Sequence, residues 1–89
     1  MNTIHKHERP HKHGPFTIVM NESAKVLRDT NQGDAGVMFV STPKEGFHGP
    51  REFVSIFTGG DIPEGAEYVD TYTVLSGRVA HHIYEVKRG

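Results

Sequence analysis

Ile62-Pro63-Glu64-Gly65-Ala66-Glu67-Tyr68-Val69, running on to Arg78-Val79-Ala80-His81-His82-Ile83-Tyr84-Glu85-Val86, is the stretch that decides the fold. It reads as a turn, a strand, a Ser76-Gly77 hairpin and a second strand. In Ala66 to Val74, Tyr68, Tyr72 and Val74 lie on one face, and Val69, Thr71 and Thr73 on the other. In the last strand Val79, His81 and Ile83 alternate with Ala80, His82, Tyr84 and Val86. Both faces of that strand are largely apolar, so it is expected in the interior of a sheet with its histidines partly buried.

The runs upstream are equally short and end in similar turns. Thr3 to Glu8 reads as a first strand, interrupted by Pro10 and Gly14-Pro15. Phe16 to Met20 and Ala24 to Thr30 follow, and Asn31-Gln32-Gly33-Asp34 has hairpin chemistry. Gly36 to Val40 is the apolar return strand. Ser41 to Pro50, with its prolines and glycines, reads as the longest loop, and Pro50 to Thr58 as a strand with two occupied faces. The expectation is an all-β fold: six to seven short antiparallel strands in a small meander-like sandwich or open barrel. Met20 to Leu27 laid on Ile62 to Val69 also gives a weak internal match, which two similar β units or chance would each explain. Residues 1–15 form a His-rich arm or edge strand, and 16–89 a single β domain.

A chain of 89 residues without cysteine holds no disulfide and no thiolate metal site, so its stability rests on the core or on association. A formal net charge of −1 with mixed signs gives no field to attract nucleic acid. No apolar run reaches the roughly 18 residues of a membrane span, and no signal peptide is recognisable, so a cytoplasmic protein without membrane contact is expected.

Four of the seven histidines stand in two His-Lys-His triplets, His5-Lys6-His7 and His11-Lys12-His13. In a strand, residues i and i+2 share a face, so such a pair presents both rings to one Zn, Ni or Cu ion. The alternative is a polar arm whose histidines coordinate nothing. The expectation is no resident cofactor, with adventitious uptake of Zn or Ni.

The order of several short motifs resembles a family of short phage, prophage and bacterial proteins described as a domain of unknown function. They are Thr3-Ile4-His5-Lys6, the turn at Asn21 to Leu27, the aromatic strand ending Thr58-Gly59, Ile62 to Val69 followed by Thr71, and the terminal His82-Ile83-Tyr84-Glu85. Two tryptophans expected from the resemblance are missing: one is replaced by His81, the other has no counterpart in Val37 to Val40. The resemblance implies a phage or mobile-element setting and no particular activity.

For catalysis the sharpest candidates are His81 and His82 with Asp70, Tyr72 and Glu85 nearby if the last two strands pair. Adjacent strand residues point to opposite faces, however, and none of Ser23, Ser41, Ser55 and Ser76 stands in a nucleophile elbow. For binding, Phe47, His48 and Arg51 offer a stacking and anion-clamping loop, with Tyr72 and His82 completing the ligand set. The expected function is a non-enzymatic, oligomeric phage-type protein that captures a host protein or a small nucleotide-like signalling ligand against host defence, in the host cytoplasm. The alternatives are a virion-associated interaction module and a His-dependent metalloprotein or hydrolase.

Overall fold

In the computed structural model, which describes residues 1–33 and 35–87, the chain is all-β. Seven antiparallel strands follow in order: β1 Asn2–Pro10, β2 Gly14–Asn21, β3 Lys25–Gln32, β4 Ala35–Pro43, β5 His48–Ile56, β6 Ala66–Val74 and β7 Val79–Val86. They form two sheets, ordered β1-β4-β3 and β2-β5-β7-β6. The chain extends over 39 × 31 × 16 Å, and the short dimension suits two sheets stacked roughly 10 Å apart. It is a small sandwich, not a closed barrel.

Alternation explains the layers. Met38 and Val40 of β4 face Phe53 of β5 and Ile83 of β7, and Met20, Ala24 and Tyr72 complete the core. Only β3–β4 and β6–β7 are hairpins of sequence neighbours that pair within one sheet; the chain changes sheet after β1, β2 and β4. On one flank β3 lies against β6, where the Asp29 amide donates to Asp70 Oδ2 at 2.8 Å. The opposite flank carries β1 and β2 as the outermost strands.

Two local features depart from expectation. Most of the stretch expected as a loop is strand: β4 runs on to Pro43 and β5 begins at His48, leaving four residues between them. Pro50 is tolerated because β7 pairs only with Phe53 to Ile56 of β5, so no ladder flanks the proline on that side. The β6–β7 turn is centred one residue early. Leu75 and Ser76 take positive φ angles of 52° and 55°, the pattern of a type I′ turn, and the Gly77 amide donates to the Val74 carbonyl.

The internal match has a structural counterpart with a reversal. Both strands carry a bulge at the matched place, between Val26 and Arg28 in β3 and between Tyr68 and Asp70 in β6. Yet Val26 packs on the core with Leu27 exposed, whereas Tyr68 is exposed with Val69 against the core. The shared motif therefore sets local geometry and not a repeated core. The β3–β4 turn contains Gly33, at φ 60°, while Asp34 lies outside the described residues.

Candidate functional site

The densest polar chemistry lies inside one end of the sandwich. Arg9, at the close of β1, is turned inward by alternation and buried. Its Nη2 donates to both carboxylate oxygens of Asp29, at 3.1 and 3.0 Å, and its Nη1 donates to the Tyr72 hydroxyl at 2.9 Å. The guanidinium also lies over the Phe16 ring, 4.3 Å from its centroid. Gly36 makes room for this arrangement: a Cβ there would stand 2.6 Å from Arg9 Nη1 and 2.8 Å from the Tyr72 hydroxyl.

Tyr72 passes this network to the histidines. Its oxygen accepts from Arg9, which leaves the O–H free to donate to His11 Nδ1 at a long 3.3 Å. Tyr72 and His81 face each other across the β6–β7 pair and stack, with centroids 5.0 Å apart and planes at 13°. His13 stacks on His81 in turn, at 4.3 Å and 21°, and its Nε2 lies 3.2 Å from the Ala80 carbonyl. Ser55 of β5 completes the group, with Oγ 2.8 Å from His81 Nδ1.

The electrostatics follow from burial. His81, 3 % exposed, has its pKa lowered from 6.5 to about 4, first by burial and then by the neighbouring His13, Arg9, His11 and His82. The ring is therefore neutral at physiological pH. Burial raises the Asp29 carboxyl, opposed by Arg9 and reinforced by Asp70. It likewise raises the Tyr72 phenol, again opposed by Arg9, with Asp29 adding to the rise. Arg9 Nε and His11 Nε2 are buried without a hydrogen-bond partner among the described residues.

A cleft of about 450 Å³ opens beside this stack. The β1–β2 link supplies His11, Lys12 and His13, β3 and its turn supply Asn31 and Gly33, and the β6–β7 hairpin supplies Val74, Leu75 and Val79, with His81 at the wall. Leu75 stands 70 % exposed at the rim in the left-handed region, a conformation that costs a branched residue on the order of 1 kcal/mol.

The sequence-derived candidates are divided among separate places. His5 and His7 lie on the same face of β1, where burial and then His5 lower the pKa of His7. His11 and His13 instead sit at the crossing between sheets beside His81. Among the described residues no three of His, Cys, Asp and Glu converge as a metal would require. Phe47, 79 % exposed, and His48 stand out in solvent.

Arg51 is turned into the sandwich, and each of its guanidinium nitrogens donates. Its Nε and Nη2 hold the two Glu85 oxygens at 2.7 and 2.8 Å, and its Nη1 donates to the Asn21 and Ala24 carbonyls at 3.1 and 2.7 Å. Burial alone would raise the Glu85 carboxyl, but Arg51, helped by Lys87, outweighs it and holds the group below its usual value. His82 faces the outer surface of the four-stranded sheet, with Nε2 2.9 Å from Thr58 Oγ1 and Nδ1 3.1 Å from Thr71 Oγ1.

Of the expected binding set, then, only Tyr72 belongs to the histidine cluster. Glu85 and Asp70 do not reach His81: one holds Arg51, the other accepts from the Asp29 and Thr71 amides. Sequence reasoning missed Arg9, Asp29 and Ser55. Ser55 had a visible signal, a lone hydroxyl between Phe53 and Phe57 on one strand face. Arg9 and Asp29 had none, since both stand in polar runs that read as solvated.

Comparison with known proteins bears on family and not on activity. No curated protein and no solved structure matches this chain. One family model spans residues 1–89, and by that match the chain belongs to the family described as Domain of unknown function (DUF7352).

Proposed function

We propose that the protein is a non-enzymatic binding module that captures a small, planar, anionic ligand of nucleotide type in the histidine-lined cleft. The observation that carries this reading is the stack of His13 on His81, backed by the buried Tyr72, at the wall of an open cleft whose rim holds Lys12 and the strained, exposed Leu75. The half-buried rings of His11 and His13 offer a base-stacking surface, and a lysine at the mouth supplies the charge for a phosphate. Every nitrogen of the Arg51 guanidinium already donates within the fold, which moves the ligand away from the β4–β5 loop. A phage-type setting, action in the host cytoplasm and a role in sequestering a signalling ligand of host defence extend this proposal, resting on motif resemblance alone.

Isothermal titration calorimetry with ribonucleoside monophosphates and their cyclic and dinucleotide forms tests it. Saturable binding is expected, weakened at least tenfold by Lys12→Glu and unchanged by Phe47→Ala. Loss in Phe47→Ala with Lys12→Glu unaffected would put the ligand on the β4–β5 loop instead. No binding by any nucleotide would leave a host protein as the partner to seek.

One contact favours a second reading. The 2.8 Å approach of Ser55 Oγ to His81 Nδ1 is the distance of a nucleophile and its base. Ser55 is 2 % exposed, so substrate access is poor. Labelling of Ser55 by a fluorophosphonate probe, absent in Ser55→Ala, would move hydrolase chemistry ahead of ligand capture.

A further inference from the structure

The outer edge of β1 is the free margin of its sheet, since β1 has β4 on one side only. Nine residues, Asn2–Pro10, leave a long row of backbone donors and acceptors there. We infer that this edge pairs with β1 of a second copy of the chain, in the one two-fold antiparallel register that sets His7 opposite His7.

The register follows from symmetry and charge. A two-fold axis through a sheet keeps each residue on its own face, and directly opposed residues of an antiparallel pair share a face. Only registers that oppose residues of like parity are therefore allowed. On the outer face of β1 the chain presents Ile4, Lys6 and Glu8, opposite Ser41, Phe39 and Val37 of β4. Centring the axis on residue 6 would oppose two lysines, and centring it on residue 8 two glutamates; like charges directly opposed destabilise a strand pair. Centring it on residue 7 sets Lys6 against Glu8 twice.

Both charges are available for this exchange. Lys6 Nζ lies 3.2 Å from Glu8 of its own strand, but the two side chains are 47 % and 57 % exposed, so little is lost when they turn to a facing strand. A lysine in the middle of an edge strand ordinarily guards it against pairing. Glu8 two residues on converts that guard into a selector, which rejects the neighbouring registers and complements one.

The inner face agrees with the same axis. His7 is half-buried opposite Met38, and its Nε2 is buried without a partner among the described residues. In this register the imidazole of the second copy stands directly across from it. Pro10, which lacks an N–H, falls at the end of the overlap opposite Ile4, where a missing ladder bond matters least. The inference is independent of ligand capture and gives the expected homo-oligomer a defined surface.

Light scattering coupled to size exclusion, on the full chain, tests the interface. A mass twice the 9.9 kDa of one chain is expected. K6E and E8K, each opposing like charges twice, should each raise the dimer dissociation constant roughly tenfold or more. The double variant K6E/E8K exchanges the charges and should restore the dimer. Because the chain has no cysteine, His7→Cys adds a test of register. Directly opposed strand positions lie within disulfide range, so it should form a cross-linked dimer under mild oxidation, whereas His5→Cys should not. A monomeric wild type overturns the proposal. So does a dimer indifferent to K6E, a folded double variant that stays monomeric, or cross-linking through residue 5 and not residue 7.

Discussion

Two inward-turned arginines, Arg9 buried and Arg51 half-buried, divide the interior of this sandwich, and they are used in opposite ways. Arg51 is closed: every nitrogen of its guanidinium donates, to the paired oxygens of Glu85 and to the carbonyls of the β2–β3 turn. Arg9 is open: it binds Asp29 and Tyr72, leaves Nε without a partner among the described residues, and leads through Tyr72 to the stacked histidines and the cleft. The carboxylates register the difference. Glu85 is held below its usual pKa by its arginine, whereas burial prevails over Arg9 at Asp29. A saturated buried pair fastens two parts of the fold; an unsaturated one beside a cleft marks where chemistry is still available.

The comparison breaks most sharply at Arg51. Arg51→Met leaves a buried carboxylate and two carbonyls without their donor, and should cost about 3–5 kcal/mol in urea denaturation at pH 7. A loss under about 1 kcal/mol would mean that Lys87, 3.4 Å from Glu85, suffices alone and that the clamp is not structural.

Arg9→Met should cost less, about 2–3 kcal/mol at pH 7, because Asp29 can shed its charge. A carboxyl whose folded pKa is raised favours the folded state at low pH, and that contribution is lost as pH rises through the folded value. The stability gap between Arg9→Met and wild type should therefore narrow on acidification from pH 7 towards 5, and should narrow further than the Arg51→Met gap, because Lys87 still holds the Glu85 carboxyl down when Arg51 is gone. Two parallel pH curves would erase the distinction between the pairs.

The smallest effect sharpens the open site. His81 binds a proton in the unfolded chain near 6.5 but in the folded protein only near 4. Acidification across that window favours the unfolded chain, so wild type should lose on the order of 2 kcal/mol between pH 6.5 and 4 through this group. His81→Phe keeps a ring between Tyr72 and His13 but cannot titrate, so its stability profile should be flatter over the same range. An unchanged slope would shift the effect to His7, the other histidine with a lowered pKa.

Much of the fold was legible because alternation is written residue by residue. Val79-Ala80-His81-His82-Ile83-Tyr84 declared an interior strand, and β7 lies between β5 and β6. The loop expected over Ser41 to Pro50 shows where local reading fails. Glycine and proline signal a turn on average, yet β2 offers Val19 and Met20 opposite Pro50 and Gly49, and that pairing is visible only in three dimensions. The site was harder still. His11, His13 and His81 are far apart in sequence, and what unites them is the crossing of the chain from one sheet to the other after β1. A motif search sees the His-Lys-His spacing but not the sheet each ring joins.

The stitched flank between β3 and β6 has a consequence for how far assembly can go. A bare sandwich with exposed margins at both sides can polymerise, each added copy exposing a fresh margin for the next. Here the Asp29 amide to Asp70 contact fastens one side, and the outermost strands of both sheets gather on the other. A two-fold partner joined through β1 uses the same surface on both molecules and so exposes no fresh β1 margin for another copy. With the pairing inferred above, growth would end at a closed pair, and the topology would work against fibre formation.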